Sequence, residues 1–149
     1  MLNAVMSDLA LSALDDDVRT LLATAQVGLF TGAPPLTPAT TLADLVALAP
    51  TYTGYALLPL TLGAKRQNAA GDYLITCDSL TFQPTGTSGL PVTLTGYFVQ
   101  ITVSAVDKLW ASELFDTPQT FTSTLSAYSF VYEYITRQLQ IYGGQCSGC

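Results

Sequence analysis

The pattern of apolar and polar positions divides the chain into a helical opening and a longer β-rich remainder. From Leu2 to Ala25 apolar residues recur at helical spacing, with Leu11, Leu14, Val18, Leu21 and Leu22 on one face. Asp15 precedes Arg19 by four residues, the favourable orientation for an ion pair on a helix. The run Asp15-Asp16-Asp17 also suits the N-terminal cap of a second short helix starting near Val18, because carboxylates favour that end of the helix dipole. On either reading the segment is amphipathic. Its apolar face packs on its own domain or docks on a partner or another copy, which makes Leu14, Val18 and Leu21 candidate interface residues.

Gln26 to Thr31 reads as a short strand, stopped by Gly32-Ala33-Pro34-Pro35-Leu36-Thr37-Pro38. Three prolines in five residues hold an extended loop at the surface, and Pro34 and Pro35 join the candidate interface residues. Thr41 with Asp44 three residues on resembles a capping box for a short helix ended by Pro50. Beyond Thr51 the period changes to two. Tyr52 to Leu62 is aromatic and branched, with Gly54 and Pro59 implying a bend or an edge. Asp72 to Phe82 sets Tyr73, Ile75 and Cys77 against Leu74, Thr76 and Asp78. Pro91 to Val103 places Tyr97, Val99, Ile101 and Val103 on one face, and Ser104 to Asp107 closes a hairpin into Lys108 to Phe115. Asp116-Thr117-Pro118 breaks that run. Thr120 to Thr136 alternates again, with Tyr128, Phe130, Tyr132 and Tyr134 as a row for core packing or for a sugar- or subunit-binding platform.

Threonine supplies 21 of the 149 residues, mostly in these β segments, where a branched polar side chain suits a half-solvated strand. The fold expected is mainly β, an antiparallel β-sandwich or jelly-roll-like domain with an N-terminal amphipathic helix and a short second helix. The organisation expected is a helical segment over 1–25, the sandwich over 26–142 and a flexible tail over 143–149.

Composition narrows the chemistry. Charged residues make up only 11% of the chain, and the net charge of −6 comes with no basic cluster beyond Lys65-Arg66, which disfavours nucleic-acid binding. Histidine is absent, which removes the commonest general base and the Ser/His and Cys/His nucleophile pairs. Carboxylate pairs for glycoside hydrolysis would have to come from Asp107, Glu113, Asp116 and Glu133, of which Glu113 and Glu133 read as solvent-facing strand residues. Catalytic residues, cofactors and metal ligands are therefore all expected to be none. The N-terminus has no basic region of the secretory kind, and the charge-free stretch Leu45 to Ala64 contains Pro50, Gly54, Pro59 and Gly63, so no membrane span is expected. Cys146 and Cys149 have CxxC spacing without a second ligand pair. A plain tail, a disulfide or inter-subunit crosslink, and a metal site with Cys77 all remain open readings.

Several short stretches carry a resemblance. An N-terminal helix is followed by Val27-Gly28-Leu29-Phe30-Thr31 before a Pro/Thr-rich loop, then Thr41-Leu42-Ala43-Asp44, Thr53-Gly54-Tyr55-Ala56 and Gly96-Tyr97-Phe98-Val99. Leu109-Trp110-Ala111-Ser112-Glu113-Leu114-Phe115-Asp116-Thr117-Pro118 completes the series. This arrangement, over about residues 10 to 135, resembles a group of small structural proteins of tailed bacteriophages. The resemblance implies a non-enzymatic capsid decoration (cement) protein, made in the host cytoplasm and placed on the capsid exterior. Its partners would be the major capsid protein and other copies of itself, with neither nucleic acid nor membrane. The alternative it implies is a tail, fibre or receptor- and glycan-binding component. It transfers no active site, and Cys146-Ser147-Gly148-Cys149 lies outside its pattern.

Overall fold

The computed structural model describes residues 2–5, 7–136 and 140–143. In chain order these form β1 (Leu2–Val5), α1 (Asp8–Leu22), β2 (Gln26–Phe30), α2 (Leu42–Val46), β3 (Leu58–Pro59), β4 (Arg66–Gln67) and β5 (Tyr73–Thr76). There follow β6 (Leu80–Phe82), β7 (Val92–Val103), β8 (Val106–Phe121), β9 (Tyr128–Phe130), β10 (Glu133–Thr136) and β11 (Gln140–Gly143). Every strand pairing is antiparallel, and the architecture is mainly β with two helices.

The frame is a four-stranded sheet in the order β3-β2-β7-β8. β7 and β8 form one long hairpin closed by Ser104-Ala105, with φ of 51° and 62°. A two-residue turn with positive φ at both positions follows the natural twist of the strands, but two non-glycine residues there sit in the disfavoured left-handed region. Ala105→Gly is therefore expected to stabilise the protein by about 1 kcal/mol and Ala105→Val to destabilise it, read as opposite shifts of the urea midpoint.

The second layer is a ribbon in two parts, β10-β5-β4 and β6-β9. Tyr73 opposes Thr136 at one end and Phe82 opposes Tyr128 at the other, and the Cys77 N–H donates to the Tyr132 carbonyl at 3.0 Å across the gap. Three residues separate Thr76 from Leu80 where two separate Phe130 from Glu133, so the first strand carries one extra residue. Side chains alternate with a period of two, so that residue flips the inward set from Tyr73, Ile75 and Cys77 to Leu80 and Phe82. The unbroken strand expected over Asp72 to Phe82 is thus divided by a bulge. Thr120 to Thr136, expected as one run, comprises the end of β8 at Phe121, a loop over 122–127, and β9 and β10 with a two-residue gap between them. Tyr52 to Leu62, expected to be β, is mostly irregular. Only Leu58 and Pro59 pair with β2, and Gly54 turns the chain at φ +91°.

Between the layers lies the main core, built from Val27 and Leu29 of β2, Leu94, Val99 and Ile101 of β7, Ile75 and Phe82 of the ribbon, and Val18 and Leu22 of α1. A smaller core of Phe30, Phe98 and Leu45 lies on the other face of the frame, under α2. Its packing depends on two reciprocal cross-strand pairs, Gly28 with Phe98 and Phe30 with Gly96. A methyl group on Gly28 would strike the Phe98 ring, and one on Gly96 would strike the Phe30 ring and the Glu113 carbonyl. The stretches Val27 to Thr31 and Gly96 to Val99 are therefore two halves of one packing unit.

α1 starts later than the pattern predicts. Ser7 caps it, its hydroxyl accepting from Ala10 N–H at 3.1 Å, and the preceding Leu2–Val5 pairs with β11 rather than extending the helix. The three aspartates lie inside α1 and cap nothing. Asp15 is fully buried and accepts from Arg19 Nε at 3.0 Å, while Asp16 pairs with Lys65 at 2.7 Å. Arg19 continues inward, donating to the carbonyls of Gly63 at 2.8 Å and Leu74 at 3.1 Å, which fixes α1 to the ribbon. α2 carries the expected capping box. The Thr41 side chain accepts from Asp44 N–H, and the Asp44 carboxylate accepts from Thr41 N–H at 2.9 Å, which holds its pKa below the ordinary value.

Candidate interaction surface

The register of β8 against β7 shifts in two places, and the shift between Leu94 and Gly96 has a visible consequence. Gly96 of β7 faces Leu114 and Leu94 faces Gln119, so four residues, Phe115 to Pro118, stand opposite Thr95 alone. Proline has no N–H for a ladder, and the extra residues must leave the plane of the sheet. β8 nevertheless continues to Phe121, where the sequence pattern predicts its end at Phe115. The excursion walls an open cleft of about 380 Å³ whose lining includes Tyr97, Glu113, Phe115, Asp116, Tyr128 and Phe130.

Four of these side chains form a continuous aromatic wall. Ring centroids lie 4.8 Å apart for Tyr97 and Phe130, 4.7 Å for Phe115 and Tyr128, and 6.1 Å for the stacked pair Tyr97 and Phe115. Tyr97 Oη donates to Glu113 Oε2 at 2.8 Å. Leu114 and Val131 also line the cleft and are 46% and 53% exposed, so its rim is apolar as well. The row Tyr128, Phe130, Tyr132 and Tyr134 packs on the main core, with Tyr132 buried and accepting from Trp110 Nε1 at 3.0 Å. Tyr128 and Phe130 belong to both the core and the cleft.

The four candidate carboxylates separate. Glu113 and Asp116 meet at the cleft, Asp107 accepts from Thr102 at the hairpin turn, and Glu133 pairs with Arg66 at 3.7 Å. Glu113, expected on a plain solvent face, lines the cleft instead. The interruption of period two at Asp116-Thr117-Pro118 was its one sequence signal.

A second hollow, of about 620 Å³, lies between the proline-rich loop and α2, lined by Pro34, Pro35, Ala43, Asp44 and Leu48 among others. The other candidate interface residues lie elsewhere. Val18 is buried in the main core, Leu21 packs against it, and Leu14 is 39% exposed. α1 and α2 serve cores on opposite faces of the frame, so Leu14, Val18 and Leu21 form no common surface with Pro34 and Pro35. Cys77 is buried, and burial pushes its thiol pKa up, as suits a packing residue. Cys146 and Cys149 lie outside the described residues.

Buried tyrosines link this region to alkaline stability. Burial, reinforced by Tyr55, pushes Tyr52 up to about 12; burial also raises Tyr55 and Tyr132, and burial followed by the Glu113 contact raises Tyr97. A phenol whose folded pKa is raised contributes stability that is complete below its unfolded value near 10 and is lost as pH rises through the folded value. The protein is expected to unfold cooperatively as pH climbs from about 10 towards 12, with tyrosinate absorbance and near-ultraviolet dichroism changing together. Tyr52→Phe is expected to move that transition upward.

Among the described residues no helix is long and apolar enough to cross a membrane. Comparison of the chain with protein-family models, curated proteins and solved structures finds no match in any of the three.

Proposed function

We propose that this protein is a non-enzymatic virion component of a tailed bacteriophage, a capsid decoration protein that binds the major capsid lattice from outside and associates with other copies of itself. The observation that carries this reading is apolar surface the fold does not use. Two layers, two cores and a buried ion pair complete the domain, yet Leu9 and Leu125 stand 82% and 87% exposed and the aromatic cleft keeps Leu114 and Val131 open. On a chain with only 11% charged residues, such surface suits burial against other proteins. A decoration protein acts by covering joints between capsid subunits, adding apolar contact where internal pressure would part them. The resemblance to small phage structural proteins agrees with this.

Quantitative mass spectrometry of purified particles tests the reading. A copy number in the hundreds is expected. A handful of copies would move the protein to the tail or portal, and absence from particles would end the proposal. The cleft, with aromatic rings beside two carboxylates, also suits a tail-tip glycan binder; a glycan array separates the two, since a decoration protein gives no hits.

A further inference from the structure

The cleft sets two carboxylates beside its aromatic wall. Glu113 has Tyr97 as its hydrogen-bond partner, and neither Glu113 nor Asp116 enters an ion pair among the described residues. The chain has eleven acidic residues against five basic ones. Of the basic residues, Arg19, Lys65 and Arg66 are committed to Asp15, Asp16 and Glu133. Two carboxylates without an ion-pair partner among the described residues therefore share a concave site with the rings of Tyr97, Phe115, Tyr128 and Phe130. The negative faces of aromatic rings and a carboxylate both favour a cation, and a planar guanidinium satisfies both by stacking on a ring while it donates to an oxygen.

We propose that the cleft is a receptor for an arginine side chain presented by a partner protein. The exposed Leu114 and Val131 on its rim are the reason to expect a protein-borne cation rather than a free small one, because apolar lips around a charge-pairing pocket fit the apolar surface flanking such an arginine. The choice of a protein occupant rests on the assembly role proposed above. The cation preference of the cleft does not.

The test is titration of the whole protein with L-argininamide, followed by NMR shifts of the cleft residues, with citrullinamide as the neutral isostere and methyl glucoside as a sugar probe. Argininamide is expected to bind with a millimolar Kd, shifting Glu113, Phe115, Asp116 and Phe130, and to weaken as salt is raised. Citrullinamide is expected to bind at least about fivefold more weakly, and Glu113→Gln combined with Asp116→Asn to remove the difference. Equal binding of the two amides, shifts by methyl glucoside alone, or unchanged discrimination in the double variant would overturn the proposal. So would matching shifts in concentrated protein alone, since the occupant would then be a second copy. Because the titration uses no particles, its failure is distinct from absence of the protein from virions.

Discussion

Replacing Asp15 by alanine is expected to lower the stability by about 3–5 kcal/mol, the range for stripping one partner from a buried ion pair, and to lower Tm by roughly 10 °C. Its carboxylate is fully buried, 3.0 Å from Arg19 Nε, 3.9 Å from Lys65 Nζ and 3.4 Å from the Thr136 hydroxyl, which donates to it. Without it the half-buried guanidinium keeps the carbonyls of Gly63 and Leu74 but loses its counter-charge. Asp15→Asn preserves the shape and removes the charge, so it is expected to fall between wild type and Asp15→Ala. An apolar double replacement, Asp15→Leu with Arg19→Met, is expected to recover most of the loss, because a buried pair need not outperform well-packed apolar groups. Urea unfolding of the set checks the order. An unshifted midpoint for Asp15→Ala would refute the view that this pair holds α1 on the ribbon.

Gly96→Ala is expected to cost about 3 kcal/mol, at the upper end of the usual range for overpacking, with Gly28→Ala costing less. The methyl group at position 96 would meet the Glu113 backbone carbonyl as well as the Phe30 ring, whose Cε2 lies 2.9 Å from the ideal Cβ position. Neither neighbour yields easily, since the carbonyl belongs to the β7–β8 ladder and Phe30 is fully buried. At position 28 the obstacles are side-chain atoms, the Phe98 ring and Leu57 Cδ2 at 2.7 Å, and part of the clash relaxes by rotation. Because Glu113 also lines the cleft, Gly96→Ala is expected to perturb argininamide binding where Gly28→Ala does not. The reverse order of stability would count against the reciprocal Gly–Phe packing of β2 on β7.

Much of the fold is legible in the residues because it is local. Thr41 and Asp44 announce the cap of α2, Asp15 and Arg19 announce their pair, and the alternation from Tyr97 to Val103 announces an inward face that the structure buries. Each depends on the geometry of one helix turn or one strand, which neighbouring residues control. The bulge after Thr76 escaped such reading. A strand with period two looks continuous until its partner's length is known, and the extra residue exists only relative to the span from Phe130 to Glu133.

The same division governs the surfaces. The sequence by itself determined a β-rich chain of low charge, without histidine, with two helices and an aromatic row at period two. Only the tertiary structure decided that Val18 belongs to the core, that Pro34 and Pro35 share a hollow with α2, and that Glu113 and Asp116 meet four aromatic rings from three strands. A cleft is a relation between segments distant in sequence, created where β8 is longer than the strand it pairs with, and neither strand's own pattern encodes that mismatch.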